Sequence, residues 1–176
     1  LPTIFLHGFM GSASSWDDVA NSKFCNTIAI DIPGHRKSHF ANLDNSSVDK
    51  WSSSMKQLIT SKKLTRVNMC GYSMGGRLAI AFASRYPNII NKLILESSSC
   101  GIDQEGERKL RYQQDLDSCA RIEANLTGFV DAWESNPMFQ KQEQRNKRGY
   151  IKQREQRLSH EPTQLSQSLK VFGQGS

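Results

Sequence analysis

The residues best suited to chemistry lie at Gly71-Tyr72-Ser73-Met74-Gly75. A serine with glycine two places to either side, after an apolar run and before an amphipathic stretch, describes a tight strand-to-helix turn. Such a turn lifts the serine hydroxyl above the sheet, and the flanking glycines, with Gly76 beyond them, relieve the crowding of the bent backbone. The N-terminus of the following helix lies beneath the hydroxyl, where it favours negative charge that develops during a reaction. Ser73 is therefore the candidate nucleophile. A second loop, His7-Gly8-Phe9-Met10-Gly11, follows another apolar run, and its histidine reads as a residue that shapes the loop. A third, Asp31-Ile32-Pro33-Gly34-His35, holds an Asp and a His but precedes the serine. Nucleophiles on this kind of turn are followed, in chain order, by their acid and then their histidine, so the third loop reads as structural.

Positioning these loops falls to four apolar runs that read as buried parallel strands: Thr3 to Leu6, Thr27 to Ile30, Val67 to Cys70 and Lys92 to Leu95. Between them, Ser14 to Ala20, Val48 to Ser61 and Met74 to Tyr86 carry helical spacing, the last closed by Pro87. This alternation predicts an α/β fold, a parallel sheet covered on both faces. In the α/β-hydrolase form of that fold, two backbone N–H groups make an oxyanion hole. One comes from the residue after the nucleophile and one from the loop after the first strand, which makes Met74 and Phe9 the matching donors. After Ile102 the strand signals stop. Glu107 to Leu126, Phe129 to Ser135, Gln140 to Leu158 and Thr163 to Phe172 read as helices, with Pro137 and Pro162 as punctuation. The expected division is a partial hydrolase core over 1–101, an inserted helical lid over 102–160 and the start of a return to the core over 161–176.

Of the 176 residues 37% are hydrophobic and 23% charged, a lean apolar content for one domain of this size. The net charge of +6 arises mostly after Glu107, where Lys and Arg are interleaved with Glu and Gln at helical spacing. That pattern predicts a solvated helical surface with a few inward-facing arginines, and argues against a nucleic-acid stripe. The four cysteines, Cys25, Cys70, Cys100 and Cys119, form no CxxC pair, and Cys70 in its apolar run reads as a buried thiol. They suggest neither a disulfide framework nor a metal site, which points to a reducing compartment, the cytoplasm. Asn45-Ser46-Ser47 and Asn125-Leu126-Thr127 are sequons short enough to arise by chance. No run is long and apolar enough to span a bilayer, and no signal-peptide pattern is found.

Beyond the elbow, the segments LHGFMGSASSWDDV, GYSMGGRLAIAFASRYP, LILESSSCGI, ERKLRYQQD, FVDAWESNPMF and QREQRLS together resemble the menaquinone-pathway α/β-hydrolases. That family is the 2-succinyl-6-hydroxy-2,4-cyclohexadiene-1-carboxylate synthases (MenH), and the resemblance runs from Leu1 to Gly175. It implies a lyase that eliminates pyruvate from a polycarboxylated cyclohexene without metal or organic cofactor. Ser73 takes the nucleophile position and Tyr72 lines the pocket. Arg77, Arg111 and Arg157 match the arginines that meet substrate carboxylates, and Trp133 matches a tryptophan over the substrate. Arg154 lies one helical turn from Arg157 and could exchange roles with it. Guanidinium forks suit such a substrate better than an apolar acyl pocket would.

The chain departs from the family pattern in one respect. Complete enzymes of this fold place the triad acid and histidine after the lid. Here His160, in Ser-His-Glu-Pro, is the one histidine beyond Ser73, and no strand precedes it. Asp115, Asp117 and Asp131 fall in the helical block, so no Ser-His-Asp triad is expected from these residues, and the chain reads as truncated at both ends. Two other functions share the elbow: a serine esterase or thioesterase, and a carboxylate-binding fragment or paralogue without turnover.

Overall fold

The computed structural model describes residues 1–20, 26–42, 46–137, 139 and 141–176. Cys25, the Asn45 of one sequon, and Met138 and Gln140 of the helical block lie outside the described residues. The strands are β1 (Thr3–Leu6), β2 (Thr27–Ile30), β3 (Val67–Tyr72) and β4 (Ile90–Glu96). Among the described residues they form one parallel sheet in the order β2-β1-β3-β4. The chain thus goes from β1 to one side for β2 and then crosses to the other side for β3. In open parallel sheets the crevice outside the carboxyl ends of the strands at such a reversal is where ligands bind. The loop after β1 and the elbow after β3 meet at that point.

A 3-10 turn (Ala13–Trp16) leads into α1 (Asp17–Ala20), and α2 (Val48–Ser61) and α3 (Met74–Arg85) complete the crossovers. α2 begins where the Ser47 side chain accepts the Lys50 N–H, and it buries Trp51, Met55 and Ile59 at intervals of four. α3 buries Leu78, Ala79 and Phe82 on the same apolar cluster, which also holds Ile4, Leu6, Val67 and Met69.

Then come α4 (Glu105–Ala124), α5 (Leu126–Glu134), α6 (Gln142–Arg145), α7 (Lys147–Leu158) and α8 (Pro162–Phe172). The single helix expected up to Leu158 is broken at Asn146, whose carboxamide accepts the Gly149 N–H and so caps a new helix. Cys119, Ile122, Phe129, Val130, Leu165 and Leu169 form a second apolar cluster together with Met10 of the β1 loop. α8 serves both clusters, with Leu165 and Leu169 in the second and Phe172 in the first.

The expectation of four buried strands is corrected at both β4 and β2. The run Lys92 to Leu95 is not a buried strand: Leu93, Ile94 and Leu95 are 37%, 49% and 43% exposed. Among the described residues β4 pairs with β3 alone, so an apolar composition did not guarantee cover. β2 is half-buried throughout, again less covered than a central strand.

Candidate functional site

Ser73 adopts φ 51° and ψ −115°, a conformation that side-chain-bearing residues rarely hold and that costs about 1–3 kcal/mol. Both sides of it are pinned. The Ser73 N–H donates to the Glu96 carbonyl at 2.9 Å, and the Ser73 carbonyl accepts from the Ser98 hydroxyl and from the N–H groups of Gly76 and Arg77. A Cβ at Gly71 would lie 2.6 Å from the Gly76 Cα, and one at Gly75 would lie 2.5 Å from the His7 carbonyl. The elbow therefore brings α3 closer to β1 and β3 than any residue but glycine allows. Met74 is the first residue of α3, where an N–H has no acceptor within the helix.

Two cavities open at this turn, and Ser73, Phe9 and Trp133 line both. The larger, about 540 Å³, is walled by Tyr72, Arg157, Gln153, Gln156 and Phe139. The smaller, about 260 Å³, is walled by Met74, Arg77, Arg111, Asp115 and Phe129. Trp133 stands between them on α5, its ring 5.9 Å from Phe9 and stacked on Phe139 at 5.6 Å. Every site residue expected from sequence thus lines one cavity or both. Arg154, the alternative to Arg157, lines neither and is held by Asp131 at 2.6 Å and Glu134 at 2.5 Å.

The cations of the two cavities are balanced differently. Arg157 donates to Glu134 at 2.7 Å and lies over the Phe139 ring. Burial pushes the Glu134 carboxyl up, but hydrogen bonds from Arg157, Tyr150 and Arg154 outweigh it and hold the group below the usual carboxylate range. Arg157 therefore faces its cavity already paired. In the smaller cavity, Arg111 meets the buried Asp115 at 2.9 Å and Gln174 at 2.6 Å, while Arg77 donates to the Phe172 carbonyl at 2.8 Å. Burial and then the charge of Arg111 press the Arg77 guanidinium below its ordinary value, with Asp115 working the other way. Two arginines share one carboxylate there. Sequence reasoning missed Glu134 as the counter-charge because it lies 23 residues from Arg157 in the chain. The Arg111–Asp115 pair had a visible signal, the i,i+4 spacing.

His7 lines the larger cavity but has no free nitrogen for a proton shuttle. Its Nε2 accepts the Ile32 N–H at 2.9 Å, and its Nδ1 donates to the Gly8 carbonyl at 2.8 Å. Burial lowers its pKa to about 4 against the opposing influence of the Gly8 bond and Asp31. His160 lines neither cavity. Asp31 accepts the Ala13 N–H at 2.7 Å, in keeping with a structural loop. Among the described residues, then, no histidine is placed to take a proton from Ser73.

A family model described as alpha/beta hydrolase fold matches residues 2–127. A Bacillus subtilis (strain 168) protein provisionally named 2-succinyl-6-hydroxy-2,4-cyclohexadiene-1-carboxylate synthase is 34% identical over 98% of this chain and 64% of its own length. The synthase of that name from Enterobacter sp. (strain 638) is 32% identical over 77% of this chain and 53% of its own length. The structure of MenH from S. aureus superposes with a TM-score of 0.90 at 30% identity, over 98% of this chain and 66% of that one. The chain therefore spans between half and two-thirds of the length of these three relatives.

Proposed function

We propose, for a chain that belongs to the alpha/beta hydrolase fold family and within it to the MenH branch, that it is the catalytic core of a cytoplasmic 2-succinyl-6-hydroxy-2,4-cyclohexadiene-1-carboxylate synthase. One observation carries the reading: Ser73 stands where two cavities meet, and each cavity has its own arginine wall. A neutral acyl ester has no use for cations on both sides of its reacting carbon, whereas a substrate with several carboxylates does.

In this reading Arg77 and Arg111 hold one carboxylate in the smaller cavity, and Arg157 orients another in the larger. Tyr72 and Trp133 confine the ring between them. Residues 102–160 act as the lid that carries Arg111, Trp133 and Arg157 over the sheet. Ser73, once a histidine of the full-length enzyme, which the family places after the lid, has taken its hydroxyl proton, removes a proton from the ring. The electrons of that C–H bond form the new double bond, the C–O bond to the pyruvyl group breaks, and the departing enolate takes up a proton as pyruvate. The N–H groups of Phe9 and Met74 hold the enolate-like charge that builds up on the succinyl carbonyl oxygen as the proton leaves.

The test is a pyruvate-release assay on the full-length protein with the enolpyruvyl-bearing cyclohexene as substrate. Release of pyruvate together with formation of the cyclohexadiene supports the reading. Hydrolysis of neutral esters without pyruvate release would replace it with an esterase.

A further inference from the structure

Three histidine rings meet edge to face in the floor beneath the β1 loop. His7 and His35 have centroids 4.8 Å apart, His35 and His160 5.1 Å apart, and all three are at least 96% buried. Nothing in the proposed chemistry uses His35 or His160. Their hydrogen bonds converge on one residue. The Met10 N–H donates to His35 Nε2 at 3.2 Å, and His160 Nε2 donates to the Met10 carbonyl at 3.1 Å. Met10 follows Phe9 directly and has φ 57°, left-handed backbone that a methionine does not hold unaided. His160 Nδ1 in turn accepts the N–H of Arg36, which is left-handed too, at φ 50°.

The acceptor roles fix the tautomers. Because His35 Nε2 accepts, its proton is on Nδ1; because His160 Nδ1 accepts, its proton is on Nε2. The His35 edge also meets the Phe9 ring at 89°. His160 comes from the junction of α7 and α8, so this contact ties the helical block to the β1 loop. Gln156, one turn earlier, adds a bond to the Ser12 hydroxyl at 2.5 Å.

We infer that His35 and His160 are positioning residues: they clamp Met10 from its N–H and its C=O, and thereby aim the Phe9 N–H at the oxygen on which the enolate-like charge develops. The inference rests on the reading of Phe9 as an oxyanion donor. The clamp works with both rings neutral. Protonating His35 Nε2 would set its N–H against that of Met10, and protonating His160 Nδ1 would set its N–H against that of Arg36. The groups facing these rings are His7, Asp31 and Arg36. Burial lowers the pKa of both, in keeping with rings that stay neutral.

The test compares His35→Leu and His160→Leu with His35→Gln and His160→Gln in the full-length protein. Each is assayed for pyruvate release and for cleavage of p-nitrophenyl acetate. A glutamine amide reaches the position of Nε2 and restores the acceptor or donor toward Met10. The leucine variants should lose about 30- to 100-fold in kcat, on the scale of a misplaced oxyanion donor, with KM within about two-fold of wild type. The glutamine variants should recover most of that loss. Leucine variants that match wild type, or glutamine variants as slow as leucine, overturn the clamp. If the leucine variants do not fold, ¹⁵N NMR of the wild-type histidines decides: a proton on His35 Nε2 or on His160 Nδ1 overturns it, and the assigned tautomers support it. Ester cleavage showing the leucine–glutamine pattern without pyruvate release keeps the clamp and discards the synthase. Pyruvate release unaffected by any variant does the reverse. A wild type that does neither removes the oxyanion role of Phe9 and the clamp with it.

Discussion

The two cavities that share Ser73 differ in how their cations are paired. In the larger, Arg157 meets Glu134, a carboxylate already reached by Arg154 and Tyr150. In the smaller, among the described residues, Arg77 and Arg111 have only Asp115 as a carboxylate between them, and Arg77 leans on a backbone carbonyl. An arginine in a pocket wall is therefore a poor measure of anion affinity by itself. Unbalanced positive charge in a partly dehydrated wall is the better one. The smaller cavity should bind a carboxylate tightly. The larger should mainly orient its ligand, through Arg157 and the amides of Gln153 and Gln156.

The largest effect belongs to what the cavities share. Ser73→Ala should lower pyruvate release by at least about 1,000-fold while leaving the affinity for a succinyl-bearing product, read by calorimetry, nearly unchanged. Next comes the unbalanced side. Arg77→Met should weaken that affinity by about 100-fold, close to 3 kcal/mol, the scale of a hydrogen bond between charged groups. Arg157→Met should weaken it only about five- to ten-fold. It should also cost about 1–2 kcal/mol in urea unfolding, because Glu134 loses one of its partners. Equal losses in affinity from Arg77→Met and Arg157→Met would erase the distinction between the cavities.

The smallest effect is on stability and is confined to the floor of the larger cavity. His7 takes up a proton near pH 6.5 when unfolded but only near pH 4 when folded. Between those values unfolding binds a proton, so the contribution of His7 is fully present above about pH 6.5 and falls as the pH drops toward 4. By pH 5.5 the loss is about 1 kcal/mol, measurable as a lower urea midpoint. His35 and His160 push in the same direction. His7→Asn should flatten this part of the pH profile.

Most of the core was legible because its signals are local. The elbow at Ser73, the capped start of α2 at Ser47 and the apolar run of β1 each announce themselves within a few residues. What stayed hidden depends on partners distant in the chain. The cover of Leu93 to Leu95 depends on what packs beside β4, not on their own composition. The Glu134–Arg157 pair and the His160–Met10 bond span 23 and 150 residues, beyond any spacing rule. The break at Asn146 did carry a local signal, an Asn three residues before Gly149, that helical periodicity overrode.

The central claim is that Ser73 serves a substrate held by carboxylates, and Arg77→Met tests it most directly. Pyruvate release from the carboxylated cyclohexene and cleavage of p-nitrophenyl acetate are measured on the same full-length preparation. The account predicts that kcat/KM for pyruvate release falls about 100-fold while ester cleavage stays within about three-fold of wild type. Equal losses in both reactions, or an unchanged rate of pyruvate release, would contradict it.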